Sequence, residues 1–199
     1  MEQLQSLLYW ISSAFLLPAL LAILCLFVYV TYLAGGVLAE GYDRRANRES
    51  LRQFHLGEPA LERFLGFEWK LALGRFAAVA ESHPERLDKA VADLENDLRK
   101  GAERLSVLSR TGPMLGLIGT LIPLQPALAG LAAGDMQEMA SNLLIGFTTT
   151  VVGLIVGGAS YALGVQVRHW ARKDLTEMHY LMEVWSAEAG IRGEGADDA

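Results

Sequence analysis

Four threonines and two rows of small residues are the side chains in this sequence best placed to do chemistry. Thr120 lies inside a charge-free stretch, Thr111 to Gly134, and Thr148, Thr149 and Thr150 lie inside a second, Met139 to Val167. Intramembrane polar groups face a protein interior or a wet cavity. A threonine can also bond its own helix backbone, so one alone would say little; four in neighbouring spans are a signal that they face such an interior or cavity. Around them, Gly112, Gly116, Gly119, Pro123, Ala127 and Gly130 share one helical face, and Gly146, Thr150, Gly153, Gly157, Ser160 and Gly164 share another. Small residues at these spacings let helix backbones approach closely in lipid. The plainer reading of any one of these glycines is that the two helices pack on each other.

Neither stretch contains a carboxylate. Asp135 and Glu138 fall at the turn between them, where they read as a helix N-cap and its capping-box partner. A membrane proton carrier needs an ionisable group near the midplane, so a proton route here needs that group from another polypeptide. His55, His83, His169 and His179 show no metal-ligand spacing with Cys, Asp or Glu, and no phosphate-binding glycine loop follows a strand. An enzyme is the least favoured class, and no cofactor is expected.

The elements that must hold these residues follow from composition. The 199 residues are 52% hydrophobic, and after Glu2 the next charge is Glu40. A bilayer core about 30 Å thick needs roughly 20 apolar residues of helix, and three segments meet that length. Each must be helical because lipid cannot satisfy a free backbone group. The first apolar run is too long for a signal-peptide core and no basic residue precedes it, so it reads as a retained span. Cys25, the only cysteine, lies in this run and reads as a packing residue. The fold class is an all-α membrane protein with long helical extensions outside the bilayer.

Thirteen of the 17 Lys and Arg lie between Arg44 and Arg110, and the other four are Arg168, Arg172, Lys173 and Arg192. Basic flanks stay in the cytoplasm, which puts the long loop and the C-terminal tail inside and the N-terminus and the Asp135 turn outside. The net charge of −6, with cations scattered among anions, does not suit nucleic acid. Four regions result: 1–39, an interfacial helix and the first span; 40–110, a helical loop; 111–167, the second and third spans; 168–199, a helix and a polar, disordered tail. Pro18 kinks the first helix or marks its entry into the bilayer.

Gly57-Glu58-Pro59 reads as a break in the loop, followed by one helix with Leu61, Phe64, Leu65, Trp69, Leu73 and Phe76 on its apolar face. Ser82-His83-Pro84-Glu85 reads as a capping box. Leu87, Val91, Leu94, Leu98, Gly101, Leu105 and Leu108 then form a heptad stripe running into the second span. Ala171, Leu175, Met178, Met182 and Trp185 repeat the pattern in the tail.

These residues resemble the MotA/TolQ/ExbB proton-channel family. Gly116-Leu117-Ile118-Gly119-Thr120 is similar to its GLxGT signature, and Gly146-Phe147-Thr148-Thr149-Thr150-Val151-Val152-Gly153-Leu154 to its small-x-x-x-T-x-x-GL pattern. Three spans resemble the TolQ/ExbB branch rather than the four-span MotA branch. The resemblance implies a homopentameric ring around two copies of a single-span TolR/ExbD/MotB-type partner that supplies a membrane aspartate. Thr120 and Thr150 would then line the route, and flow of H⁺ (or Na⁺) across the inner membrane would drive mechanical work. Pro123 stands where the family often has glycine, and Pro126 adds a second pore-shaping break. Ile145 stands where ExbB-type proteins carry a glutamate, so a relay here excludes that group. The alternative is a non-conducting oligomeric scaffold holding another envelope protein.

Overall fold

The computed structural model describes the backbone of residues 2–55, 61–67, 69–82 and 86–197, and the side chains of 14–45, 51–55, 63–67, 69–82 and 86–185. Among the described residues five helices follow in order: α1 Glu2–His55, α2 Leu61–Leu65, α3 Leu71–Ser82, α4 Leu87–Ala133 and α5 Met136–Asp197. No strand occurs among the described residues. Stretches of α1, α4 and α5 are long and apolar enough to cross a membrane. The chain divides into two compact units, Met1–Gly35 with Glu103–Gly164, and Gly36–Ala102 with Val165–Ala199.

The first unit holds the apolar spans. Val30, Leu108 and Val156 form its buried cluster, with Leu26, Leu33, Val152 and Leu163 packed around them. Its outward surface is also rich in apolar side chains: Leu17, Leu24, Tyr32, Leu117, Leu128, Leu144, Phe147 and Val151 are all exposed. Helices apolar on every face belong in lipid or against other subunits.

A tight hairpin joins α4 to α5. Gly134 sits at φ +76°, the left-handed conformation that glycine adopts without a Cβ penalty. Its N–H donates to Leu131 O at 3.1 Å, and Asp135 N–H donates to Gly130 O at 2.8 Å. This pair of bonds satisfies the last carbonyls of α4 in the Schellman arrangement. Asp135 Oδ1 accepts from Glu138 N–H at 2.9 Å, capping α5 as expected. The reciprocal half of the capping box is absent, because Asp135 N–H is already committed to Gly130. With so short a link, α4 and α5 must lie antiparallel and adjacent.

The second unit is built around aromatic rings. Phe54, Phe64 and Phe76 are fully buried, with Leu73, Val91, Leu94, Met178, Leu181 and Trp185. Here the structure departs from the sequence reading. The single helix expected over Leu61 to Phe76 is two, α2 and α3, with a turn between them. Gly66 and Phe67 N–H donate to the Arg63 and Phe64 carbonyls, both at 3.2 Å, and Trp69 Nε1 donates to Phe64 O at 2.7 Å. The turn lets Trp69 stack on Phe64, centroids 4.7 Å apart, which a continuous helix would not allow at this spacing. Leu71 takes φ 61° to restart the chain. Trp69 O comes so close to α3 that a Cβ on Gly74 would meet it at 2.5 Å.

Further details refine the sequence reading. Helix α1 runs from the first region into the helical loop as far as His55, past Pro18 without a break in helix. Ser82 ends α3 with its hydroxyl donating to Ala78 O at 2.7 Å; the other members of its expected box, and the Gly57-Glu58-Pro59 break, lie outside the described residues. In α5 the buried stripe is Ala171, Asp174, Met178, Leu181 and Trp185, while Leu175 and Met182 pack at its margin. The α5 backbone stays helical to Asp197, where the polar composition suggests disorder. The heptad stripe of α4 is buried at Val91, Leu94, Leu105 and Leu108 and half-buried at Leu98.

Candidate functional site

The two glycine rows meet face to face. A Cβ on Gly153 would lie 2.7 Å from Gly112 O and 2.8 Å from Gly116 Cα; on Gly112, 2.9 Å from Gly153 O; on Gly157, 2.6 Å from Pro113 Cγ. Gly116 is almost as tight, 3.2 Å from Gly153 Cα, and Gly146 backs onto Thr120 at 3.5 Å. The glycines bring the α4 and α5 backbones into contact. Pro123 continues the row as a buried side chain, followed by Ala127, while Pro126 is half-buried one position round the helix. Both prolines lie within α4, which continues through them.

The four hydroxyls fall in different places. Thr149 is the buried one, 6% exposed; it fits against Gly119, whose Cβ would meet Thr149 Oγ1 at 2.7 Å, and donates to Gly146 O at 2.7 Å. Thr150 reaches across the pair and donates to Gly116 O at 3.1 Å. Thr120 is half-buried and donates to Leu117 O at 2.8 Å. Thr148 is exposed and donates to Leu144 O at 2.8 Å. Every hydroxyl proton is thus spent on a backbone carbonyl. What each oxygen retains is lone-pair capacity, the equipment to accept a hydrogen bond or to ligate a cation. Ser160, one turn beyond Gly157, is fully buried, and its Oγ finds no hydrogen-bond partner in the structure.

The second unit contains a cluster that the sequence reading missed. Arg44 donates from Nη1 and Nη2 to Asp174 Oδ1 and Oδ2 at 2.8 and 2.7 Å. It also donates from Nε and Nη2 to Glu40 Oε1 at 2.9 and 2.7 Å. The guanidinium carbon sits 4.9 Å from the Trp170 ring centroid, within cation–π range. Gly41 leaves room for that indole, its missing Cβ facing Trp170 Cη2 at 3.2 Å. A two-pronged Arg–carboxylate pair of this kind fixes geometry as well as charge. The stripe read from sequence, Ala171, Leu175, Met178, Met182 and Trp185, leaves Asp174 beside it, so the sequence carried no signal for this pair.

Apolar spans with lipid-type outer faces, joined through glycines, define a multi-pass helical membrane protein. Residues 65–179 match the MotA/TolQ/ExbB proton channel family, and the chain belongs to that family. Comparison with curated proteins gives no match.

Proposed function

We propose that this chain is the ring-forming channel subunit of an ion-driven motor in a cytoplasmic membrane, oriented with residues 40–110 and the C-terminal tail in the cytoplasm. Five copies surround two copies of a single-span partner that carries an aspartate into the bilayer. The observation that carries this reading is the state of the threonines: hydroxyl protons bound to backbone, lone pairs left over, and no carboxylate between Met139 and Val167 or Thr111 and Gly134. Such oxygens accept from a protonated carboxyl and offer nothing to a bare carboxylate, whose own oxygens also only accept. They therefore favour the loaded form of a passing aspartate by about one hydrogen bond, ~0.5–1.5 kcal/mol. Sodium would use the same lone pairs.

Thr120 and Thr150 are the residues assigned this role, Thr148 a third contributor, and Thr149 chiefly a packing residue against Gly119. The test is proton flux in proteoliposomes containing the chain and its partner. Thr120→Val and Thr150→Val should assemble as wild type and lose coupled flux. Undiminished flux in both variants would leave the non-conducting scaffold as the better account.

A further inference from the structure

A cavity of about 760 Å³ opens in the second unit beside the Arg44 cluster, between the α1 stretch that begins at Gly41 and the α5 stretch from Gln166 to Glu177. Its wall includes the Trp170 ring and the apolar side chains of Leu51 and Leu73. Arg45, Arg172 and Lys173 also line it, are exposed, and take part in no ion pair among the described residues. Of the acids at its edge, Asp174 is paired with Arg44 at 2.7 Å and Glu177 is hydrogen-bonded to His55 at 3.2 Å. Arg44, Arg45, Arg172 and Lys173 outnumber these two acids, so the lining is net positive.

Its position in the sequence sets its depth. Arg44 and Arg45 are the first cations after the first apolar run, and Arg168, Arg172 and Lys173 the first after the third. Trp170 among them is the residue type that settles at headgroup level. Basic pockets between spans on the cytoplasmic side suit phosphate headgroups. We propose that this cavity binds the phosphate of an anionic glycerophospholipid from the inner leaflet. Arg45, Arg172 and Lys173 hold the phosphodiester, and Trp170, fixed by Arg44, packs against the glycerol and upper acyl chain. A soluble phosphate would satisfy the cations but leave the indole and the two leucines uncovered, which is why the lipid is favoured. The inference rests on the orientation proposed above; it does not depend on conduction, so the flux test and the lipid test can fail separately.

The experiment uses the full chain, purified and stripped of lipid in detergent. It is titrated with phosphatidylglycerol, phosphatidylcholine or inorganic phosphate, and bound species are read by native mass spectrometry. Each cation near a lipid surface contributes about fivefold. The wild type should therefore prefer phosphatidylglycerol to phosphatidylcholine by on the order of 100-fold, and Arg45→Ala/Arg172→Ala/Lys173→Ala should abolish the preference. Arg45→Lys/Arg172→Lys, which keeps the charge, should retain most of it and guards against misfolding as the cause. Equal binding of the two lipids would overturn the proposal, as would an unchanged preference in the triple variant. Inorganic phosphate competing at equal concentration would assign the cavity to a soluble anion and not to lipid. A changed oligomeric state with unaltered lipid preference would make it a contact between copies of this chain, again against the proposal.

Discussion

Replacing Gly153 by alanine puts a methyl group where two backbone atoms of α4 already stand. The new Cβ would be 2.7 Å from Gly112 O and 2.8 Å from Gly116 Cα, against at least 3.4 Å for an ordinary contact. Neither atom belongs to a side chain that can swing away, so the helices must part by about 0.7 Å, an overpacking strain of ~1–3 kcal/mol. The same displacement lengthens the Thr150 Oγ1 to Gly116 O bond from 3.1 Å to about 3.8 Å, beyond hydrogen-bond range. Bonds between helices in a bilayer average ~0.6 kcal/mol. Alanine in place of glycine also favours helix by up to ~1 kcal/mol, and a control on the same helix measures that gain. Gly158 has nothing within 4 Å of its would-be Cβ, so Gly158→Ala carries the propensity change without the clash. The expected result is a Gly153→Ala chain less stable than Gly158→Ala by about 2–3 kcal/mol, read by reversible unfolding in mixed micelles or by steric trapping in bicelles. Equal stabilities would refute the claim that close backbone approach joins α4 to α5.

Three other outcomes are expected. Asp135→Ala removes the side-chain acceptor for Glu138 N–H and should cost about 1 kcal/mol in the same unfolding assay, with Asp135→Asn close to wild type. Asp174→Ala leaves Arg44 with Glu40 as its remaining ion pair and frees the restraint on Trp170; a loss of about 1–3 kcal/mol is expected, together with a shift in Trp170 fluorescence toward a wetter environment. Arg44→Lys should recover only part of the wild-type stability, since an ammonium cannot span both Asp174 oxygens and stack on the indole as a guanidinium does.

The spans and their joining surface were legible because lipid and close packing leave direct marks in composition. Charge-free runs became helices long and apolar enough to cross a membrane, small residues at helical spacing brought α4 and α5 together, and the Asp after Gly134 caps α5. The order among Thr148, Thr149 and Thr150 was not legible. Adjacent residues differ by about 100° around a helix, and spacing put Thr150 on the glycine face, whereas the buried position opposite Gly119 belongs to Thr149. Asp174 was hidden for a different reason. A carboxylate beside an apolar stripe reads as solvent-facing, and only Arg44, remote in sequence, turns it into a buried partner. The α2–α3 turn likewise depends on Phe64, Trp69 and Trp185 finding one another, a long-range preference that overrides a locally helical apolar pattern.

The central claim is that the hydroxyls of this chain act on an acid delivered by a second polypeptide. The most direct measurement is the native mass of the complex extracted from its own membrane in mild detergent, with the components identified. The account predicts five copies of this chain with two of a small protein that has one membrane span and an aspartate within it. A stable homo-oligomer with no second component, or a companion whose span carries no acid, would contradict it.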